Sequence, residues 1–558
     1  MDSTTCACVA SSAFVFRCRF TRVRDDLREN RKSGRLHEFL VKNIMELLGF
    51  DVSVTWLLVI GFVLLAVWYD WWCHQYFQRR GIPVADYIPF FGNLLQFRHG
   101  IQKTFTEYVK KHGRVVGLYS FRNPFLIITD PDILKNVLVK NFSSFYNRRR
   151  FPLGQKPLNR GLTRLMNEEW KEVRNVITPS FSASKMRLMS ETINECCDTL
   201  VASFSKAQEG GKSVDCRVLF GGFTMDAIAR CGFGLKVDSQ QDKDDPFVKN
   251  AKKALDFNLF NPALMIVSAF PALSPVFNYL KFDMFDPEVI KFFMNVTEAA
   301  CNMRRREGQD ATKGIDLLQL MLNAHEDEDH EEEDTPTAES GQKKGAAHRR
   351  PLSTVDVMAQ AIIFFLAGYE TTNTLLSFTA YLLATNQDTQ EKLHAEIDNL
   401  APTRDNLGYD VISKMEYLDM VINESLRMYP PAVIFDRMCN ETITYEGLTI
   451  EKGMVVFVSL WTLHYDEEFW PNPTKFDPER FSPENKASIK PCTYMPFGFG
   501  PRNCIGMRFA LLEAKMALVR MMQQYRFDVC SETEIPPKLG KMGFLAPKSL
   551  KLSVVPRN

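Results

Sequence analysis

The sequence has no Cys-x-x-Cys pair and next to no net charge. Each absence removes a class of protein. The cysteines number 13, an odd count, and only Cys196 and Cys197 are adjacent. That is not the framework of a small secreted disulfide domain, so most of these thiols are expected to be reduced fillers of apolar space. A formal charge of +1 over 558 residues carries no electrostatic footprint for nucleic acid, and no such partner is expected. No internal repeat is visible. With 45% hydrophobic and 24% charged residues, the chain is neither disordered nor fibrous, and it is long enough to bury a large core.

One run of membrane length is present. Val52 to Tyr69 is 18 residues with only Ser53 and Thr55 as mild polar interruptions. At a helical rise of 1.5 Å per residue it spans roughly 27 Å, enough for a hydrocarbon core. Trp68, Trp71 and Trp72 cluster at its end, as interfacial aromatics do, and Arg79-Arg80 follow. Gly81-Ile82-Pro83, Pro89 and Gly92 then form a stiff linker. No small-residue cleavage site follows the run, which favours a transmembrane anchor over 52–69 rather than a signal peptide. Residues 1–44 hold nine Lys or Arg, among them Arg17, Arg19, Arg22, Arg24 and Arg35. Positive charge stays cytosolic, so this basic extension opposes a cytosolic catalytic part. Initiation at Met45 removes the conflict, and the extension need not belong to the mature protein. A mitochondrial transit peptide is the rival explanation, against which Asp25, Asp26, Glu29 and Glu38 argue.

The remainder, 82–558, reads as one mainly α domain with a small β region. Helical periods run over Asp316–Ala324, Val355–Thr385, Gln387–Leu400 and Met507–Gln523, and strand patterns over Val115–Tyr119 and Met454–Ser459. The almost wholly acidic stretch Glu326–Asp334 and the Ala/Gly/Thr/Lys-rich stretch after it predict a disordered loop over 325–350. His325 and His330 beside it are read as loop residues rather than metal ligands.

Several patterns carry chemistry. Phe497-Gly498-Phe499-Gly500-Pro501-Arg502-Asn503-Cys504-Ile505-Gly506 is a tight irregular loop ahead of a helix. A cysteine there feels the positive end of the helix dipole and nearby N–H groups, which favour the metal-binding thiolate. Arg502 can pair with an acidic group of a ligand. Ala367-Gly368-Tyr369-Glu370-Thr371-Thr372 places an acid and a hydroxyl in an oily helix that Gly368 thins, and buried ionisable groups are costly unless paired or functional. Trp170 and Arg174, one helical turn apart, can both donate to a carboxylate. Glu424 and Arg427 lie at i and i+3 on one helix face, just before Tyr429-Pro430-Pro431.

The loop 497–506 resembles the heme-binding loop of cytochromes P450, Phe-x-x-Gly-x-Arg-x-Cys-x-Gly, at every fixed position. The other patterns follow in that family's order. The similarity runs from about Ile82 to the C-terminus and is closest to animal microsomal members of the drug-metabolising 3A clan. The extension before Met45 and the acidic insert depart from it without touching a motif. The resemblance implies a cytochrome P450 fold preceded by a single transmembrane helix. It implies heme b, with Cys504 as iron ligand, Phe497 and Arg502 in the heme loop, and Trp170, Arg174, Arg437 and Arg502 as candidate propionate holders. It implies a bracing triad of Glu424, Arg427 and Arg480, the last within Pro478-Glu479-Arg480-Phe481. Thr371 and Glu370 would deliver protons for dioxygen activation. Phe365 and Ala367, and the Phe-rich segment Phe257–Phe270, are candidate substrate contacts, and that segment could also dip into the membrane.

The implied activity is a monooxygenase acting on a hydrophobic small molecule, xenobiotic, steroid or fatty-acid-like. Electrons would come from NADPH through NADPH–cytochrome P450 reductase, with cytochrome b5 as an optional second donor. The implied location is the endoplasmic reticulum membrane, single-pass, with the catalytic domain cytosolic. Two rivals are kept: a heme-thiolate isomerase of lipid peroxides, whose known members commonly lack the threonine found at 371, and a non-enzymatic heme-binding sensor, for which a proton-delivery motif would be idle.

Overall fold

The computed structural model describes residues 54–557 apart from 152, 155, 210–212, 243, 256–259, 284, 308–316, 327–351 and 541–544. The extension 1–44, the body of the acidic loop, and Phe257 lie outside the described residues. At the loop's near edge, helix Leu317–Glu326 carries His325 and Glu326, two residues beyond the end expected from periodicity.

The described residues divide into two units, one ending at Gln75 and the other beginning at Tyr76. In the first, Val54–His74 is one helix of 21 residues. It runs five residues past Tyr69 and reaches about 32 Å. Trp56, Phe62, Leu64 and Trp68 are all more than half exposed on it, as a helix built for an apolar solvent would leave them.

In the second unit helices dominate. The longest, Thr354–Thr385, starts at a capping box in which Ser353 and Asp356 satisfy each other's backbone N–H. Its residues are buried nearly all round, because it runs through the core with Cys216–Phe233, Met507–Gln524 and Glu416–Met428 packed on different sides. The predicted helix Gln387–Leu400 is present with those bounds. The β region is small. Its largest sheet has Val115–Ser120 antiparallel to Asn123–Ile128, which runs parallel to Val455–Ser459, itself antiparallel to Ile434–Met438. That last strand brings Arg437 toward the cysteine loop.

Candidate active site

The loop before helix Met507–Gln524 has its shape from two glycines. Gly498 and Gly500 sit at φ +73° and +77°, in the left-handed region. A Cβ on Gly500 would lie 2.1 Å from the Leu138 carbonyl oxygen, so the loop can pack there only without a side chain. The Cys504 N–H closes the loop on the Phe497 carbonyl at 2.8 Å. Cys504 therefore sits deep in the protein yet has open space over its side chain, because it faces a cavity of about 340 Å³. It is the sole cysteine of the described residues that lines this space.

Most of the residues singled out in the sequence converge on that cavity: Cys504, Phe497, Arg502, Trp170, Arg174, Arg437, Thr371 and Ala367. Arg174 donates from Nη1 to the Asn503 carbonyl at 2.8 Å and from Nη2 to Asn503 Oδ1 at 3.0 Å, so it holds the residue before the cysteine. The Arg502 guanidinium lies 4.6 Å from the centre of the Trp170 ring and donates to the Leu165 carbonyl at 2.8 Å and to that of Tyr146. Arg437 is 1% exposed, and its Nε has no partner.

A fourth arginine on the cavity, Arg148, was missed. It stands in the run Arg148-Arg149-Arg150, which reads as ordinary surface charge, and nothing in the sequence singles out its first member. Among the described residues none of these four arginines forms an ion pair with a carboxylate. Burial, with the like charges of Arg148 and Arg502, pushes Arg437 far below its usual range. Burial and Arg148 push Arg502 down to about 9. Four guanidinium groups around one space, two of them buried, are a poor arrangement on their own and a good one around a dianion. This arrangement fits the two propionates of a heme.

The cysteine itself departs from expectation. Burial raises its pKa more than the Gly506 N–H, Arg174 and Arg148 lower it. The loop N–H and the two arginines oppose that desolvation, and a bound metal's charge would act in the same direction as they do.

The long helix divides neighbours in sequence. Phe364, Ala367, Gly368, Thr371, Thr372 and Leu375 follow helical spacing along the cavity wall. Thr371 Oγ1 donates to the Ala367 carbonyl at 2.6 Å, which leaves its lone pairs for the cavity. At Gly368, Ile228 stands 3.2 Å from where a Cβ would be, the close approach that the glycine predicts. Two candidates turn away. Phe365 is not a cavity residue: it is fully buried and stacks on Phe233 at 4.0 Å, with Phe247 and Phe293 nearby, and Phe364 takes the place assigned to it. Two residues along a helix is about 200° of rotation, so 365 and 367 cannot share a face. Glu370 does not line the cavity either. It is paired with Arg217 at 2.5 Å on the far side of the helix. Phe270 is 52% exposed and also stands apart from the cavity.

Glu424, Arg427 and Arg480 meet away from the cavity. Arg427 grips Glu424 with two hydrogen bonds of 2.7 and 2.8 Å and also donates to the carbonyls of His464 and Pro473. Arg480 Nε stands 3.4 Å from Glu424, and its Nη2 donates to the Pro471 carbonyl at 2.7 Å. The Glu424 and Arg427 side chains are wholly buried. Glu424→Ala would leave a buried guanidinium without its carboxylate, a cost of about 3–5 kcal/mol. The expected outcome is a large drop in the unfolding midpoint of the heme-loaded protein, with Glu424→Gln falling between variant and wild type.

Residues 82–554 match the family model for cytochrome P450. The chain belongs to the cytochrome P450 family. It is 41% identical over 507 residues to cytochrome P450 3A6 of Oryctolagus cuniculus, covering 90% of this chain and 97% of the relative. It is 42% identical over 517 residues to cytochrome P450 3A13 of Mus musculus, covering 92% and 99%. Similarity to cytochrome P450 3A9 of Rattus norvegicus is 42% over 518 residues, covering 92% and 99%. The chain is thus a monooxygenase of the cytochrome P450 fold, with heme b as cofactor and NADPH as electron source through a reductase. It carries one N-terminal helix long and apolar enough to span a membrane.

Proposed function

We propose that Cys504 is the ligand to the heme iron, and that Arg148, Arg174, Arg437 and Arg502, with Trp170, hold the propionates. The observation that carries this reading is the meeting of an accessible cysteine and four guanidinium groups without carboxylate partners on one cavity. Heme bound there supplies dioxygen activation, the thiolate pushing electron density toward O–O cleavage. The protein's own work is placement and proton supply. Thr371, its O–H spent on Ala367, accepts a hydrogen bond from a cavity water and holds it in place. Glu370 feeds protons from behind the wall when its carboxylate leaves Arg217.

The apolar wall of Phe181, Ile363, Phe364, Ala367 and Leu375 selects a hydrophobic small molecule of xenobiotic, steroid or fatty-acid-like character. NADPH–cytochrome P450 reductase is the proposed electron donor, with cytochrome b5 as accessory. Product formation that requires both NADPH and added reductase, followed by mass spectrometry over a panel of such compounds, is the test. Turnover of a lipid peroxide without reductase would favour the isomerase, and heme binding without any turnover would favour the sensor.

We place the catalytic unit, 82–558, on the cytosolic face of the endoplasmic reticulum, anchored by 54–74. An exposed apolar surface along 266–282, with Val276, Tyr279 and Leu280 each more than half exposed, supports contact with membrane lipid. Asn141-Phe142-Ser143, Asn295-Val296-Thr297 and Asn440-Glu441-Thr442 are glycan acceptor sequences that the lumen would read. No mobility shift is expected on deglycosylation of the cellular protein; a shift would reverse the topology.

A further inference from the structure

We infer that a second cavity, behind the long helix, binds an amphipathic organic anion: a carboxylate or phosphate group on a compact apolar body. The space is about 490 Å³ and lies on the side of the helix away from Cys504, with Tyr369 and Asn373 on its wall. Four cationic side chains line it: Lys206, Arg217, Lys252 and Lys548. The two carboxylates that line it, fewer than the cations, accept local hydrogen bonds. Asp215 accepts from the N–H groups of Arg217 and Leu550, both at 3.2 Å, and from the Ser549 hydroxyl at 2.6 Å. Asp242 accepts from the Asp244 N–H at 2.8 Å. Among the described residues the three lysines form no ion pair. Deeper in, Arg217 Nε is buried without a hydrogen-bond partner.

An unmet guanidinium donor, the exposed charge of three lysines and an apolar wall that includes Leu219 and Val248 describe the ligand: anionic at one end and apolar along its body. Arg217 links this site to the first. The guanidinium that faces the second cavity holds Glu370 at 2.5 Å. An incoming anion competes for that guanidinium and loosens the pair, so occupancy behind the helix alters the acid beside Thr371. This coupling rests on the proton-supply role proposed for Glu370; the binding does not.

The test uses the heme-loaded, full-length protein with its main cavity filled by an azole that binds the iron. 1-Naphthyl phosphate is the probe, followed by equilibrium dialysis. One equivalent is expected to bind without disturbing the azole spectrum. Binding is expected to weaken about tenfold in the triple variant K206Q/K252Q/K548Q, whose thermal unfolding and basal turnover stay unchanged, since each lost exposed charge removes a modest attraction. Inorganic phosphate is expected to bind at least about tenfold more weakly than the probe, because it lacks the apolar body. Absence of binding, equal binding by the triple variant, loss of binding when the azole is present, or equal binding of inorganic phosphate would each overturn the site. Without azole, the probe is expected to change product formed per NADPH in wild type and not in the triple variant. Binding that passes every arm while this ratio stays constant would reject the Glu370 role and leave the site standing.

Discussion

Cys504→Ala is expected to lose the red-shifted Soret band of the reduced, carbon-monoxide-bound protein completely, and with it monooxygenase turnover. The band is the signature of thiolate ligation, and a neutral ligand does not produce it. No other described cysteine can substitute, since none of the other nine lines the cavity. The arginine cluster is untouched by this change, so some heme can still be held by its propionates. The informative measurement is therefore the position of the band in protein that retains heme, together with turnover. A thiolate-type band in Cys504→Ala would remove Cys504 as the ligand.

Thr371→Ala is expected to keep heme binding, substrate binding and NADPH consumption while oxygenated product falls about tenfold or more, the lost electrons appearing as hydrogen peroxide. The geometry says why a methyl would not serve. The hydroxyl donates along its own helix to Ala367, which turns its lone pairs toward the cavity, where they can hold a water. Thr371→Ser keeps the oxygen and should recover part of the coupling. Product per NADPH oxidised is the quantity to compare, and equal ratios in wild type and Thr371→Ala would shift the proton path to Glu370 or to a water chain. Glu370→Gln tests the other half. It removes the charge that holds Arg217, so its effect should reach the second cavity as well as the first.

Much of this was legible in the sequence because it is local. The glycine loop, the long oily helix, and the i, i+3 pair of Glu424 and Arg427 depend on residues within a few positions of one another. The strands Val115–Ser120 and Val455–Ser459 showed as alternating or apolar runs, but their pairing through Asn123–Ile128 did not, since it joins segments over 300 residues apart. Arg148 was illegible for the same reason: its role is set by Arg437 and Arg502, which arrive from a distant strand and loop. Phe365 and Glu370 show a different gap. Both lie within the right motif, and helical rotation alone separates them from Ala367 and Thr371. Counting back by threes and fours from Thr371 gives 368, 367 and 364, all of which line the cavity. At Cys504 the favourable loop N–H is legible in the sequence, while the opposing burial is not.

The wholly buried grip of Arg427 on Glu424 also bears on how such a chain can change over generations. Replacing either partner alone strands a charge in the core, and the stranded intermediate must survive before a second change can repair it. The bracing positions are therefore closed to stepwise drift whatever molecule the enzyme meets. Ile363, Phe364 and Ala367 strand no charge when replaced: each is an apolar wall residue at which a volume-conserving exchange in a single step costs little. Adaptation to new compounds is channelled to the wall of the cavity, while the frame that carries it stays fixed.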